Sequence, residues 1–95
     1  MAAYLIVDLE VTNPEGFREY QKRAGSTLEP YGGKYLVRGG NYETLEGEWH
    51  PHRLVMLEFP SMEQAKRWYH SDEYASVKDI RFETANTQLI LVQGI

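Results

Sequence analysis

The chain has no cysteine, only four prolines and no long apolar run among its 95 residues. Without cysteine, disulfides, thiolate metal sites and thiol nucleophiles are excluded, and a reducing cytoplasm is the expected compartment. No apolar run approaches the roughly 20 residues of a membrane-spanning helix, and the first residues lack the basic segment of a signal peptide. Positive charge is also scarce, since the formal net charge is −4 and no basic patch is present. Neither a membrane nor a nucleic acid is therefore an expected partner.

What the chain does contain is typical of one small globular domain, residues 1–95, with an apolar fraction of 42%. Alternating and helical patterns predict strands over 4–11, 35–38, 53–59 and 87–93, with 42–45 extending the second strand after a bend. Asn13 begins a first helix, Ser61 a second, and Ser71 a short third one. This order predicts an α+β ferredoxin-like βαββαβ sandwich, in which a four-stranded antiparallel sheet carries its helices on one face.

The two faces of this sheet are predicted to differ in their cover. The helices would cover an almost wholly apolar face: Leu5, Val7, Leu9, Tyr35, Val37, Val55, Leu57, Phe59, Ile90 and Val92. The bare face would carry Tyr4, Ile6, Asp8, Glu10, Leu36, Arg38, Leu54, Met56, Glu58, Leu89 and Leu91. Seven of these eleven are apolar or aromatic, and such a patch usually marks an interface. We therefore expect a homodimer that packs sheet against sheet through the open face.

Three charged residues interrupt the predicted bare face. In the ferredoxin-like strand order, Asp8, Arg38 and Glu58 would meet as a cluster. Because burying a lone charge is costly, these groups must pair or face a wet cavity. They form either a structural ion-pair network that fixes dimer register, or a polar pocket, unless the register or topology differs and the charges are solvated. In the second case Arg38 would hold an anion or carbonyl, and one of the two carboxylates would act as a base.

A long connection, Asn41 to His52, joins the second and third strands. Loops of this length are usually functional or mobile. Trp49 is its candidate binding residue, either in a lid or dimer arm or as an anchor on the edge of the core. His50 and His52 have a spacing that metal ligands can use, but no third ligand is evident, so no metal is expected. Gly39-Gly40 lacks the spacing of phosphate or dinucleotide loops and indicates a bend or bulge, and no cofactor is expected.

Several segments together are similar to the bacterial family known as domain of unknown function 1330. They include Ala3-Tyr4-Leu5-Ile6-Val7-Asp8, Tyr35-Leu36-Val37-Arg38-Gly39-Gly40, Leu45-Glu46-Gly47-Glu48-Trp49 and Leu54-Val55-Met56-Leu57-Glu58-Phe59-Pro60-Ser61. The resemblance covers essentially the whole chain and implies the dimeric α+β barrel superfamily. That superfamily includes small monooxygenases needing no cofactor, lactone isomerases, haem enzymes and ligand-sensing domains. Fold kinship therefore does not choose a reaction.

Two functions are consistent with these observations. The first is a small homodimeric enzyme without cofactor, or a binder of a small organic molecule, with a pocket between sheet and helices or between two sheets. Asp8, Arg38, Trp49 and Glu58 would line this pocket, and the 41–52 loop would cover it. The second is a non-catalytic dimeric structural or ligand-sensing module. The sequence does not decide whether the protein is an enzyme.

Overall fold

Four strands form one antiparallel sheet in the computed structural model, which describes residues 1–95. The strands are β1 (Ala3–Val11), β2 (Lys34–Arg38), β3 (Leu54–Phe59) and β4 (Ala85–Gln93). The α-helices are α1 (Pro14–Ala24), α2 (Met62–Tyr69) and α3 (Asp72–Thr84). The strand order β2-β3-β1-β4, with every neighbouring pair antiparallel, confirms the predicted α+β ferredoxin-like fold.

Each α-helix begins at the residue that the sequence marks as its cap. The Asn13 side chain accepts a hydrogen bond from the Gly16 N–H at 3.2 Å, and Ser71 Oγ accepts one from the Tyr74 N–H, also at 3.2 Å. Ser61 caps α2 in the same way. These bonds satisfy backbone donors that the first helical turn leaves unpaired, which fixes where each helix starts.

Helix α3 is longer than the sequence indicated. With 13 residues it is the longest helix, whereas a short one was predicted. Its buried positions continue past the apolar residues that suggested it: they are Tyr74, Val77, Arg81 and Thr84. The prediction stopped too early because the last two are polar, although they keep the helical spacing of the buried stripe.

The core lies between the sheet and the helices. Fourteen buried apolar residues form one cluster there, with Phe59, Trp68 and Tyr74 at its centre. The Trp68 ring lies 5.5 Å from the Phe59 ring and 4.0 Å from the Tyr74 ring, measured between centroids. Its indole N–H donates to Thr27 Oγ1 at 2.9 Å. Burial of a large side chain such as Phe59 contributes about 1.5–3 kcal/mol, so this aromatic group anchors the helices to the sheet.

The assignment of the two faces of β4 is the reverse of the prediction. Leu91 lies opposite Leu5 and Leu89 opposite Val7, so both leucines face the helices. Ile90 and Val92 lie on the bare face instead, 60% and 43% exposed. The sequence cannot decide which residues of β4 face the helices, because residues 89–92 are all apolar and no alternation of polarity distinguishes the two faces.

A β-bulge shifts the register of β2. Tyr35 lies opposite Leu57, but after the irregularity between Tyr35 and Val37 it is Arg38 that lies opposite Val55. Opposed residues of an antiparallel pair share a face, so Arg38 lies on the covered face and not on the bare face, as predicted. The same shift moves Val37 from the covered face to the bare one. Bulges of this kind re-aim side chains by one position.

The bare face keeps its predicted apolar character despite these exchanges. Ile90 and Val92 replace the two leucines there, and Leu36 at the bulge is 47% exposed. The molecule measures 35 × 34 × 16 Å, which corresponds to a slab of one sheet and one layer of helices. One side of the sheet therefore has no cover within the chain.

Candidate ligand-binding site

Asp8 holds the long loop onto the end of the bare sheet face. Asp8 Oδ1 accepts a hydrogen bond from the His52 N–H at 2.8 Å, and Asp8 Oδ2 accepts one from the Trp49 indole N–H at 3.3 Å. The His52 ring lies between two carboxylates, 3.5 Å from Asp8 and 3.6 Å from Glu10. Asp8 is thus the point at which the loop attaches to β1.

These contacts also set the ionisation of Asp8. Burial by itself would raise its pKa, but the hydrogen bonds from the His52 backbone and the Trp49 indole, together with the nearby His52 ring, outweigh that effect and lower the pKa. The side chain is 12% exposed. Because both oxygens already accept hydrogen bonds, Asp8 is suited to anchoring a loop more than to abstracting a proton.

The predicted meeting of Asp8, Arg38 and Glu58 is wrong. Glu58 pairs with Lys34 at 3.0 Å and lies four residues along the bare face from the position opposite Asp8. Arg38 lies on the other side of the sheet, where its guanidinium carbon is 4.5 Å from the centre of the Tyr35 ring. The bulge in β2 is the physical reason, since without it Arg38 would share a face with Glu58.

A different cavity lies between the sheet and the helices, with a volume of about 40 Å³. Its wall consists mostly of apolar and aromatic side chains, including Phe17, Tyr20, Leu57, Trp68 and Tyr74. The remaining lining residues are Gln21, Arg38, Arg53 and Arg81. Three arginines therefore border one apolar cavity, and no carboxylate or histidine lines it.

Arg81 is the deepest of these arginines. It lies on the buried stripe of α3 and is only 2% exposed. Its Nε–H donates to the Tyr74 hydroxyl at 3.3 Å, and that hydroxyl lies 2.7 Å from the Tyr20 hydroxyl. Arg81 makes no ion pair. A buried guanidinium without a carboxylate partner is costly to folding, so its presence points to a functional site.

Burial and contact with neighbouring polar groups determine the charge states of Tyr20, Tyr35 and Arg81. Burial, and then the neighbouring Tyr74 oxygen, raise the pKa of Tyr20, and burial raises the pKa of Tyr35. Burial alone would lower the pKa of Arg81, but the tyrosine oxygens beside it favour the charged form and raise it. Tyr20 is therefore a neutral hydroxyl and Arg81 a permanent cation at physiological pH.

The sequence reasoning missed Arg81 and the role of the tyrosines beside it. For Tyr20 and Tyr74 the sequence predicts only a place in the helical spacing of the first and third helices. The available signal was the spacing of residues 74, 77, 81 and 84, which places an arginine on the buried side of an amphipathic helix. A charged residue at such a position is rare and indicates a site.

The 41–52 loop does not cover this cavity. None of its residues lines the cavity wall, and the predicted strand extension over 42–45 does not form. Leu45 and Trp49 are 88% and 61% exposed, and Thr44 Oγ1 donates to the Trp49 carbonyl at 2.8 Å within the loop. The loop instead attaches to the opposite face of the sheet through Asp8. It is therefore not a lid over this cavity.

Neither a metal site nor a membrane-spanning helix is present. No group of three or more His, Asp and Glu side chains is arranged to hold a metal ion. None of the helices has the length and apolarity needed to cross a membrane.

The fold and the cavity together define an α+β ferredoxin-like protein with an internal, mostly apolar pocket. The chain belongs to the family described as Domain of unknown function (DUF1330), whose model matches residues 2–95. A comparison with curated proteins finds no match.

Solved structures share the fold at low sequence identity. A protein of unknown function from Rhodopseudomonas palustris, RPA0582, is 18% identical with a TM-score of 0.79, over 99% of this chain and 82% of that one. SnoaB, a cofactor-independent oxygenase from Streptomyces nogalater, is 10% identical with a TM-score of 0.67, over 99% and 93%. A dimeric ferredoxin-like protein of unknown function from Jannaschia is 8% identical with a TM-score of 0.68, over 99% and 100%. At these identities the likeness establishes the fold and not a shared reaction.

Proposed function

We propose that this protein binds a small, mainly apolar organic molecule in the cavity between its sheet and its helices. The observation that carries the proposal is the composition of that cavity, in which apolar and aromatic walls surround a few convergent polar groups. Such a combination is typical of small-molecule sites. Of the four residues predicted to form a site, Arg38 belongs to this cavity. Asp8 and Trp49 hold the loop, and Glu58 pairs with Lys34.

The size of the cavity restricts how a ligand enters. About 40 Å³ is less than the roughly 150 Å³ of an apolar cavity that holds benzene. Binding of an aromatic molecule therefore requires side chains at the rim to move. Arg38 is exposed and Gln21 and Arg53 are only half-buried, so these three side chains are the ones free to turn aside.

A cofactor-independent enzyme is the second candidate function, supported by the shared fold with SnoaB. The cavity supplies groups that would stabilise negative charge, namely the Tyr20 hydroxyl and the arginines. It offers no Asp, Glu or His to serve as a general base. Binding without catalysis is therefore the primary proposal, and a reaction would require the ligand or water to supply the base.

We further propose that the chain acts as a homodimer through the bare face of its sheet, in the cytoplasm. The exposed Ile90, Val92 and Leu36 support a second copy as the cover of that face. The dimeric description of the Jannaschia protein, which has the same fold, supports the same assembly. The absence of cysteine is in keeping with a reducing compartment.

Tryptophan fluorescence tests the binding proposal directly. The chain has two tryptophans, of which Trp68 lines the cavity and Trp49 lies in the exposed loop. In the Trp49→Phe variant, all tryptophan emission comes from Trp68. Titration with benzoate, benzamide and phenol should give a saturable change in that emission for at least one probe, with a rise in melting temperature.

The matched control is the Trp68→Phe variant, which keeps only Trp49. Its emission should not respond to the same probes, because Trp49 lies on the other side of the sheet. A response from Trp49 alone would place the binding site on the loop. No saturable change at Trp68 and no thermal stabilisation with any of the three probes would contradict the proposal.

A further inference from the structure

We propose that the ligand of this cavity carries a negative charge on oxygen, and that the Tyr20 hydroxyl and the Arg81 guanidinium bind that oxyanion. The inference rests on the proposed function, because it specifies the chemical class of the molecule bound there. Carboxylates, phenolates and enolates of small apolar molecules belong to this class.

The hydrogen bond between Tyr74 and Tyr20 has a defined direction. Tyr74 is 1% exposed, so its hydroxyl proton needs an acceptor within the protein. The hydroxyl has two polar neighbours, Arg81 Nε at 3.3 Å and the Tyr20 oxygen at 2.7 Å. A guanidinium only donates, so Tyr74 must donate to Tyr20.

The Tyr20 hydroxyl is left with a proton that no protein group accepts. Its oxygen accepts the Tyr74 proton, and its own proton has no acceptor among the protein's hydrogen bonds. Tyr20 lines the cavity and is only half-buried. Arg81, Tyr74 and Tyr20 therefore form a chain of donors whose last free proton belongs to a residue of the cavity wall, where a ligand oxygen would accept it.

Several N–H groups of Arg81 have no hydrogen-bond acceptor within the protein. A guanidinium has five N–H groups, and only the Nε–H of Arg81 has a hydrogen-bond partner, while its guanidinium carbon lies 4.9 Å from the centre of the Phe82 ring. Thr87 Oγ1 is the one enclosed side-chain polar atom without a partner, so the Arg81 nitrogens keep some accessible surface, and Arg81 lines the cavity. A planar oxyanion would satisfy these donors with charge-assisted hydrogen bonds, which are about twice as strong as neutral ones.

The charge around the cavity favours the same class of ligand. Arg38 and Arg53 add two further positive charges at the wall, and no carboxylate competes for them. This concentration of positive charge occurs in a chain whose net charge is −4. Gly39, with φ of 71°, brings the backbone so close to the Arg53 guanidinium that a side chain there would collide with it. The absence of a side chain at Gly39 thus leaves room for the Arg53 guanidinium beside it.

The test compares benzoate with benzamide, which have nearly the same shape but differ in charge. Dissociation constants are measured by calorimetry on the unmodified protein and on the Arg81→Met and Tyr20→Phe variants. The unmodified protein should bind benzoate at least about tenfold more tightly than benzamide, since one charge-assisted hydrogen bond is worth at least roughly that factor. Arg81→Met should lower the preference for benzoate several-fold while keeping benzamide binding, and Tyr20→Phe should weaken benzoate binding several-fold.

Tyr31→Phe is the matched control, because it removes a hydroxyl that bonds to Glu73 outside the cavity. It should leave both affinities unchanged. Equal affinity for benzoate and benzamide, or a preference for benzoate that Arg81→Met leaves unchanged, would overturn the inference while leaving the binding proposal intact. Failure of the Trp68 signal to respond to either probe would instead remove the proposed function itself. Should Arg81→Met fail to fold by circular dichroism, an unchanged benzoate affinity in Tyr20→Phe would still overturn the assignment of Tyr20.

Discussion

Arg81 places a positive charge inside the core of an otherwise acidic protein. Its only hydrogen-bond partner is the Tyr74 hydroxyl, and it makes no ion pair. Replacing a buried ion pair with apolar side chains of similar volume is often neutral or stabilising by about 1–4 kcal/mol, and a buried charge without a counter-charge is costlier than a pair. The guanidinium carbon also lies 4.9 Å from the centre of the Phe82 ring, but this contact leaves its free N–H groups without acceptors, whereas an anion would supply them.

The Arg81→Met variant should therefore be more stable than the unmodified protein. We expect its free energy of unfolding to rise by about 1–2 kcal/mol, because methionine fills the same space without the cost of desolvating a charge. Urea denaturation followed by circular dichroism measures the change. The Tyr74 hydroxyl keeps its bond to Tyr20, so no buried polar group is left alone.

Arg67→Met provides the comparison on the surface. Arg67 pairs with Glu63 at 2.7 Å on an exposed face of α2, and its loss should change stability by no more than about 0.5 kcal/mol. If Arg81→Met were destabilising by more than this, Arg81 would be a structural residue and its role in binding would lose its main support.

At the scale of elements, the bulge in β2 and the anchored loop decide where the functional groups lie. The bulge transfers Arg38 from the bare face to the cavity. The bond between Asp8 and the backbone of His52 draws the end of the loop toward the opposite face. The loop is therefore attached on the bare-face side of the sheet and does not cover the cavity.

Asp8→Ala should loosen this loop without unfolding the sheet. The variant loses the bonds from His52 and Trp49, and we expect a fall of about 1–2 kcal/mol in the free energy of unfolding. Hydrogen exchange of amides over 41–52 should become faster, while exchange in β1 and β3 stays slow. Glu58→Ala is the control on the same face, since Glu58 is half-buried but its partner Lys34 is exposed, and loss of this pair should cost little.

Asp8 should also make the stability of the folded protein depend on pH. The pKa of Asp8 is lowered in the folded state, so its stabilising effect is present above its ordinary value of 3.8 and is lost as pH falls through the lowered folded value. The difference in stability between the unmodified protein and Asp8→Ala should therefore be constant near neutral pH and shrink in acid. A difference that stays constant down to the lowest pH at which both proteins fold would contradict the role of Asp8.

At the scale of the whole molecule, the sequence was sufficient for the fold but not for the site. Period-two and helical patterns, with caps at Asn13, Ser61 and Ser71, gave the correct order of elements because these signals are local. The site depends on features that local patterns do not contain. The bulge after Tyr35 has no marker in the sequence, and the run from Leu89 to Val92 offers no polar residue to identify its faces. Arg81 could have been found from its spacing.

The bare face predicts the assembly of the molecule. Light scattering after size-exclusion chromatography should give about twice the chain mass of 11.0 kDa. Ile90→Lys, on the bare face, should shift the protein toward monomer because a charge would be buried at the interface. Ala75→Lys, on the exposed side of α3, should leave the mass unchanged. A monomeric unmodified protein at micromolar concentration would show that this face is not a dimer interface.

The most direct test of the central claim is to locate a bound anion by NMR. Benzoate is titrated into ¹⁵N-labelled protein, and the backbone amide shifts are followed. We expect the largest changes around the cavity, at Tyr20 on α1, Val55 on β3 and Tyr74 and Arg81 on α3. Changes confined to Asp8 and the 41–52 loop, or no saturable change at the cavity residues, would contradict the account.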